Sequence, residues 1–428
     1  MTLIEQDQSL VWHPFTHQLG ARAPVNIVRG EGVYFYDDQG NKFIDAIASW
    51  WVNLHGHCHP YISKKVSEQL FQLEHSMFSD FTHAPAVNLA KRLIDHLPSN
   101  QARIFYSDNG STAVEVGLKM TLQYWHNQGI KKTKFIAFEN SYHGDTFGSM
   151  SVGARNVFNN AFESQLFDVV HLPLPSKEGQ EEIILQLTAL LRTETIAGFI
   201  FEPLVQGAAG MLMYEAALLD ELIALCREYK VITIADEVMT GFGRTGRFFA
   251  SDHLVHKADI MCLSKGLTGG YMPLGVTSCS NLIYDAFLSG DKTKTFFHGH
   301  SYTANPTACS AALASLDLLE REETQEQIRM IAHQHLTFME KIKSHPALKV
   351  VRTCGTILAF EWNTKERTHY LNEASQHIAA FFLKRKILLR PLGNIFYLIP
   401  PYVITKEELH SIYRVVEIFL DEPEKMHA

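Results

Sequence analysis

The lysine of Asp259-Ile260-Met261-Cys262-Leu263-Ser264-Lys265-Gly266-Leu267-Thr268-Gly269-Gly270 lies just past an apolar run and just before glycines. Desolvation at such a place favours the neutral, nucleophilic amine, which forms Schiff bases with carbonyl compounds. A solvated surface lysine is the alternative. A second segment, Val231-Ile232-Thr233-Ile234-Ala235-Asp236-Glu237-Val238, delivers Asp236 at the end of an apolar strand. A carboxylate there holds a pyridine nitrogen protonated, stands in solvent or binds a metal. If the strand continues, Glu237 and Val238 point to opposite faces, and Val238 lies against a ring. The third segment is Ser107-Asp108-Asn109-Gly110-Ser111-Thr112. Gly110 permits a tight turn, and Ser111 and Thr112 open a helix whose free N–H groups and positive dipole end suit a phosphate. The alternative is a capped helix with no ligand. A phosphate site, a pyridinium partner and a Schiff-base lysine are together the three contacts that pyridoxal 5′-phosphate (PLP) requires.

Such residues converge only if strands carry them to one edge. Ala102–Ser107, Lys134–Phe138, Gly198–Phe201, Val231–Ala235 and Ile260–Leu263 each read as a short buried strand. Between them, Val87, Ala90, Leu93, Ile94 and Leu97 recur at helical spacing, as do Leu218, Leu219, Leu222, Ile223 and Cys226. The alternation predicts an α/β fold with a mainly parallel sheet covered by helices and ligands at the carboxyl ends of the strands. Beyond it, one long helical pattern runs from about Pro306 to Glu340. Strands are then expected at Val350–Val351, Thr356–Trp362, Ile387–Arg390 and Ile395–Ile399. A hairpin, Val33–Tyr36 and Lys42–Asp45 about an Asp37–Gly40 turn, suits that later region better than the sheet. The expected division is residues 1–60 as an N-terminal part of a smaller α+β domain, 61–320 as the large domain, and 321–428 as the rest of the small one.

The chain has 428 residues and a net charge of −8, so it has no broad basic footprint for nucleic acid. Its six cysteines form no C-x-x-C pair, which reads as reduced thiols in the cytoplasm. Met1–Leu10 lacks Lys and Arg as well as an apolar h-region, so no signal peptide is expected, and no stretch is apolar enough to predict a membrane span. No G-x-G-x-x-G follows the early strands, which argues against a nicotinamide dehydrogenase.

Asp236-Glu237-Val238-x-Thr240-Gly241-Phe242-Gly243-Arg244-Thr245-Gly246, with Ser264-Lys265-Gly266 beyond it, resembles the signature of class III aminotransferases of PLP fold type I. Trp12-His13-Pro14, Ala48-Ser49-Trp50-Trp51, His55-Gly56-His57, Thr82-His83-Ala84-Pro85, Tyr142-His143-Gly144-Asp145-Thr146, Glu202-Pro203-Leu204-Val205-Gln206-Gly207, Arg390-Pro391-Leu392-Gly393 and Tyr397–Tyr402 narrow the resemblance. They point to the branch that aminates 8-amino-7-oxononanoate in biotin synthesis, and the likeness runs from Trp12 to about Tyr402. The resemblance implies a large domain of the seven-stranded type and a homodimer with shared sites. It implies that Gly110 and Ser111 bind the phosphate, Tyr142 stacks on the pyridine ring, Asp236 pairs with the ring nitrogen and Lys265 carries the cofactor. Val238 is expected beside the ring. Phe15, Trp50, Trp51, Tyr142, Lys265, Gly299, Arg390 and Tyr397 are expected around the substrate, with Arg390 on its carboxylate. His300 and Ser301 are expected at the phosphate of a neighbouring subunit's cofactor, where Pro-Thr is frequent in the family. The family often has Tyr where Phe15 stands. Members with Phe there include some that take lysine instead of S-adenosylmethionine as amino donor, so both donors stay open, as does another ω-aminotransferase activity.

Four features admit a plainer reading. His55, His57 and His59 alternate, as on one face of a strand, but lack the further ligands a metal site needs, and packing near the pocket is favoured over metal. Of adjacent Trp50 and Trp51, one ring is expected in the pocket and one in the core. Arg244 either holds a loop carboxylate or touches substrate. Lys131-Lys132-Thr133-Lys134 reads as a solvated loop.

Overall fold

Seven strands form the central sheet of this computed structural model, which describes residues 1–422. Their order across the sheet is Gln101–Ser107, Gly275–Ser280, Ile260–Leu263, Ile232–Asp236, Ile196–Phe201, Lys134–Phe138 and Val169–Leu172. Gly275–Ser280 runs antiparallel to both neighbours, and the remaining pairs are parallel. The inner strands Ile196–Phe201, Ile232–Asp236 and Ile260–Leu263 are buried along their whole length. That is why they read as unbroken apolar runs: parallel strands are covered by helices on both faces.

Gly275–Ser280 and Val169–Leu172 escape the hydrophobic pattern. In the first, Thr277 and Ser278 are fully buried, and their hydroxyls donate to Ala113 O (2.7 Å) and Gln101 Oε1 (2.7 Å). Satisfied hydroxyls enter a core without an apolar signature.

The pattern from Pro306 to Glu340 is two helices, Pro306–Leu319 and Glu322–Ile342, not one. Arg321 is extended (φ −65°, ψ 139°), and Glu322 and Glu323 open the second helix where its dipole favours acids. The Pro306 helix is buried nearly all round, whereas the Glu322 helix buries only one stripe.

Three smaller sheets lie outside the central one among the described residues, the shortest pairing Val205–Gln206 with Leu212–Met213. Ile27–Glu31, Tyr34–Asp37 and Lys42–Asp45 form antiparallel pairs, and Lys42–Asp45 also pairs in parallel with Ile387–Leu388. Leu348–Cys354, Ile357–Trp362 and Ile395–Leu398 make an antiparallel three-stranded sheet. The early and late parts of the chain thus meet, and the loops between them reach the carboxyl edge of the central sheet. No helix among the described residues is long and apolar enough to cross a membrane.

Candidate active site

A cavity of about 650 Å³ opens at the carboxyl edge of the central sheet, with Lys265, Asp236, Val238, Gly110, Ser111 and Tyr142 in its wall. Lys265 follows the Ile260–Leu263 strand with φ 46°, in the left-handed region that side chains rarely adopt. Backbone of this kind is found where the surroundings hold it and is frequent at functional sites. Burial pulls the Lys265 amine down to about 8; Asp236 and Glu202 oppose that shift and Arg244 adds to it. The Nζ stands 4.3 Å from the centre of the Trp51 ring. It is a desolvated amine facing open space, the condition for attack on a carbonyl.

Asp236 is held on both oxygens. Val238 N donates to Oδ1 at 3.1 Å, and the buried His143 ring donates from Nδ1 to Oδ2 at 2.7 Å. Nε2 of His143 is buried with no partner among the described residues. Glu202, from the end of the Ile196–Phe201 strand, accepts from Tyr142 N (3.0 Å) and Gly207 N (2.9 Å), so it fixes the loop that carries Tyr142. Burial pushes Glu202 up to about 7, the nearby Asp236 charge acting in the same direction and His143 against it. Burial also raises the Tyr142 phenol, which is neutral.

The Gly110–Asn127 helix starts at this edge, capped by Asn109, whose side chain accepts from Thr112 N at 3.0 Å. Gly110 is required for a reason other than the expected turn. A Cβ there would lie 2.6 Å from Val238 Cγ1, so glycine lets the helix start pack on the Asp236 segment. Val238 lies past the end of the strand rather than on a continuation of it. Glu237 turns inward, accepting from Thr240 Oγ1, Ala250 N and Ser251 N.

The mouth of the cavity is aromatic. Ala48, Ser49, Trp50 and Trp51 have φ of 49°, 48°, 74° and 74°, a left-handed turn costing about 1–2 kcal/mol per residue. Asp45 holds it by accepting from Ser49 Oγ (2.9 Å) and Ile47 N (3.2 Å). The turn sets both rings in the cavity wall, which corrects the expected split: Trp51 is at once core and wall, and Trp50 is half-buried. Arg390 lies over Trp50 with Cζ 4.3 Å from the ring centre, and its Nη2 donates to Phe15 O at 3.3 Å. The Phe15 ring packs edge-on against Trp50 and Phe158, at 5.6 and 5.9 Å between centres.

Some expected residues stand elsewhere. Arg244 is 1% exposed and donates to the backbone carbonyls of Pro400, Trp51 and Asn53, so it braces the Trp50–Trp51 turn from behind and reaches neither a loop carboxylate nor the cavity. Tyr397 is likewise behind the wall, its hydroxyl accepting from Trp51 Nε1 at 3.1 Å. Gly299, His300 and Ser301 line a separate cavity of about 650 Å³, together with His75 and Phe78. The three alternating histidines do not share a strand face. His55 pairs with Ser315 (3.0 Å), His57 with Asp45 (3.0 Å), and His59 caps the Pro60–Gln72 helix. His143, Glu202, Phe158 and Tyr370 had no assigned role in the sequence, although the first two lie inside quoted motifs. Only the fold brings them to the cavity.

These residues fit PLP: a reactive buried amine, a helix start with free N–H groups, an anchored carboxylate, and Val238 and Tyr142 between them. A model of the family described as aminotransferase class-III matches residues 17–420. The chain is a class III aminotransferase. It is 45% identical to the adenosylmethionine-8-amino-7-oxononanoate aminotransferase of Synechococcus elongatus, over 96% of this chain and 98% of that one. The crystal structure of the enzyme of that name from Methanocaldococcus jannaschii superposes with a TM-score of 0.93 at 36% identity, covering 99% of each chain. An omega transaminase of Pseudomonas jessenii in complex with PMP gives 0.92 at 28% identity, over 99% of this chain and 98% of that one. The aminotransferase has the PLP fold type I architecture and depends on PLP.

Proposed function

We propose that the enzyme transfers an amino group from S-adenosylmethionine to 8-amino-7-oxononanoate, forming 7,8-diaminononanoate for biotin synthesis. The reading is carried by one arrangement: a single desolvated amine, Lys265, at the floor of an apolar cavity whose mouth holds the Arg390 guanidinium. It suits a long aliphatic substrate with a carbonyl to aminate and a carboxylate at its far end. The names of full-length relatives at 45% and 39% identity agree with it.

PLP, when bound, supplies a sink for the electron pair left as a proton departs from the substrate carbon. Lys265 would hold the cofactor through its amine and, when that amine is free, would move the proton at the substrate carbon. Asp236, oriented by His143 and Val238 N, keeps a proton on the pyridine nitrogen. Gly110 and Ser111 receive the phosphate, and Tyr142 covers the ring. Arg390 exchanges the Phe15 carbonyl for the substrate carboxylate, a stronger, charge-assisted partner. Trp50, Trp51 and Phe15 exclude water.

We also propose a homodimer in which Gly299, His300 and Ser301 serve the other subunit's site. Nδ1 of His75 and Nε2 of His300 are buried without a partner among the described residues, and Met77, Phe297 and Tyr302 beside them are exposed. Free thiols suit a reducing compartment, and the cytoplasm is the proposed place of action.

Single-turnover absorbance of the holoenzyme tests the reading, with S-adenosylmethionine and lysine as rival donors and 8-amino-7-oxononanoate for the return half. Conversion by S-adenosylmethionine followed by return on 8-amino-7-oxononanoate is expected. Conversion by lysine alone would overturn the donor, and failure of the return half would overturn the acceptor.

A further inference from the structure

A second cavity, of about 250 Å³, adjoins the first. The two share Tyr142, Phe158, Ala208, Tyr370 and Leu392 as a common wall. At its centre the Phe158 and Tyr370 rings meet edge to face, 4.5 Å between centres, and Phe158 also touches Tyr142 at 6.0 Å. The linings differ in kind. The main cavity is aromatic toward its mouth and ends at Arg390, whereas Asn140, Asn156 and the exposed His369 are among the residues that line the smaller one, the Asn156 Oδ1 accepting from Phe158 N at 2.9 Å.

This division has a use. In the proposed reaction one amine, Lys265, serves two unlike molecules in turn, and both must bring a reacting carbon to the same point. A single cavity complementary to a long aliphatic acid is a poor fit for a bulky polar donor, while a second cavity alongside the one that holds Lys265 gives the donor's far end a place of its own. At about 250 Å³ the side cavity lies below the roughly 300–1,000 Å³ that encloses a whole ligand, so it suits one end of a molecule. Aromatic faces at its entrance and amides in its wall are the features that recognise a flat, hydrogen-bonding heterocycle.

We infer that the side cavity behind Phe158 and Tyr370 is a subsite for the heteroaromatic, non-reacting end of the amino donor. The inference rests on the proposed use of S-adenosylmethionine, whose adenine is such a group. Ala209 lines the side cavity and not the main one, so Ala209→Met fills the first and leaves the second. Ala209→Val is a milder filling should the larger one disturb folding.

The probe is adenosine, which has the base but no reacting amine, titrated calorimetrically into PLP-loaded enzyme. Adenosine is expected to bind wild type and to weaken at least tenfold in Ala209→Met, with a smaller loss in Ala209→Val. The 8-amino-7-oxononanoate half-reaction should stay within twofold of wild type. Equal adenosine binding in all three proteins, or none in wild type, overturns the subsite. Equal damage to both half-reactions does so too. Turnover of S-adenosylmethionine by wild type is scored separately. A wild type that turns it over while binding no adenosine sinks the subsite alone, and one that does not turn it over sinks the donor assignment instead.

Discussion

The floor and the mouth of the cavity are built by opposite means. At the floor, Asp236, Glu202 and Lys265 stand at or just beyond the ends of adjacent strands, the two carboxylates almost wholly buried and Lys265 half-buried; the carboxylates are held through hydrogen bonds of 2.7–3.1 Å. At the mouth, Phe15, Trp50, Phe158, Tyr370 and Arg390 come from loops far apart in the chain, are partly exposed, and meet mainly through ring contacts. Ring contacts add only about 0.5–1.5 kcal/mol each, so the mouth tolerates rearrangement that the floor does not. Chemistry common to both half-reactions belongs to the rigid part, and the choice between substrates to the adaptable one. Changes at the floor should therefore damage both halves alike, and changes at the mouth should separate them.

The largest effect is expected at Asp236. Asp236→Asn removes the charge and leaves the shape, and both half-reactions should slow by roughly 10²–10⁴-fold, the range typical of a lost proton-handling group. Single-turnover rates with each substrate check this. Unequal losses would mean that the floor is not common ground.

Arg390→Ala comes next. Losing one partner of a desolvated charge pair costs about 2–5 kcal/mol, so affinity for 8-amino-7-oxononanoate should fall roughly 30-fold or more. The donor half-reaction should change far less. Equal damage to both would break the division between floor and mouth.

A smaller effect sharpens the account of Lys265. With its amine at about 8, half of it is neutral near that pH and a tenth one unit lower. Only the neutral amine attacks a carbonyl, so capture of PLP by cofactor-free protein should quicken about tenfold per pH unit and level off above roughly pH 8. Stopped-flow absorbance reads this directly, and a rise continuing to about pH 10 would mean that burial does not shift the lysine.

How much was legible in the sequence follows the same line. Lys265, Asp236 and Gly110 were readable because each sits at the end of a local pattern, a strand or a helix start. His143 was not, since its role depends on Asp236, 93 residues away. Tyr397 was expected near the substrate and Arg244 either there or on a loop carboxylate, but both stand behind Trp51, and only the left-handed turn at Ala48–Trp51 reveals which side of that ring faces the cavity. No pattern of hydrophobicity announces four left-handed residues without glycine. The strand Gly275–Ser280 was lost for another reason: its core-facing groups are hydroxyls.

The smallest expected effect is at Phe15, whose ring rests on Trp50. Phe15→Tyr adds a hydroxyl worth about 0.5–1.5 kcal/mol if it finds a partner, a change of roughly two- to tenfold. It should raise the rate with S-adenosylmethionine and leave the second half-reaction within twofold, measured with the same single-turnover assay.

That a single lysine at the floor carries the cofactor is the claim on which the rest depends. Borohydride reduction of the PLP-loaded enzyme, followed by peptide mass mapping, tests it most directly. A pyridoxyl group on Lys265 alone is the predicted result, and a pyridoxyl group on any other lysine, with Lys265 unmodified, would contradict it.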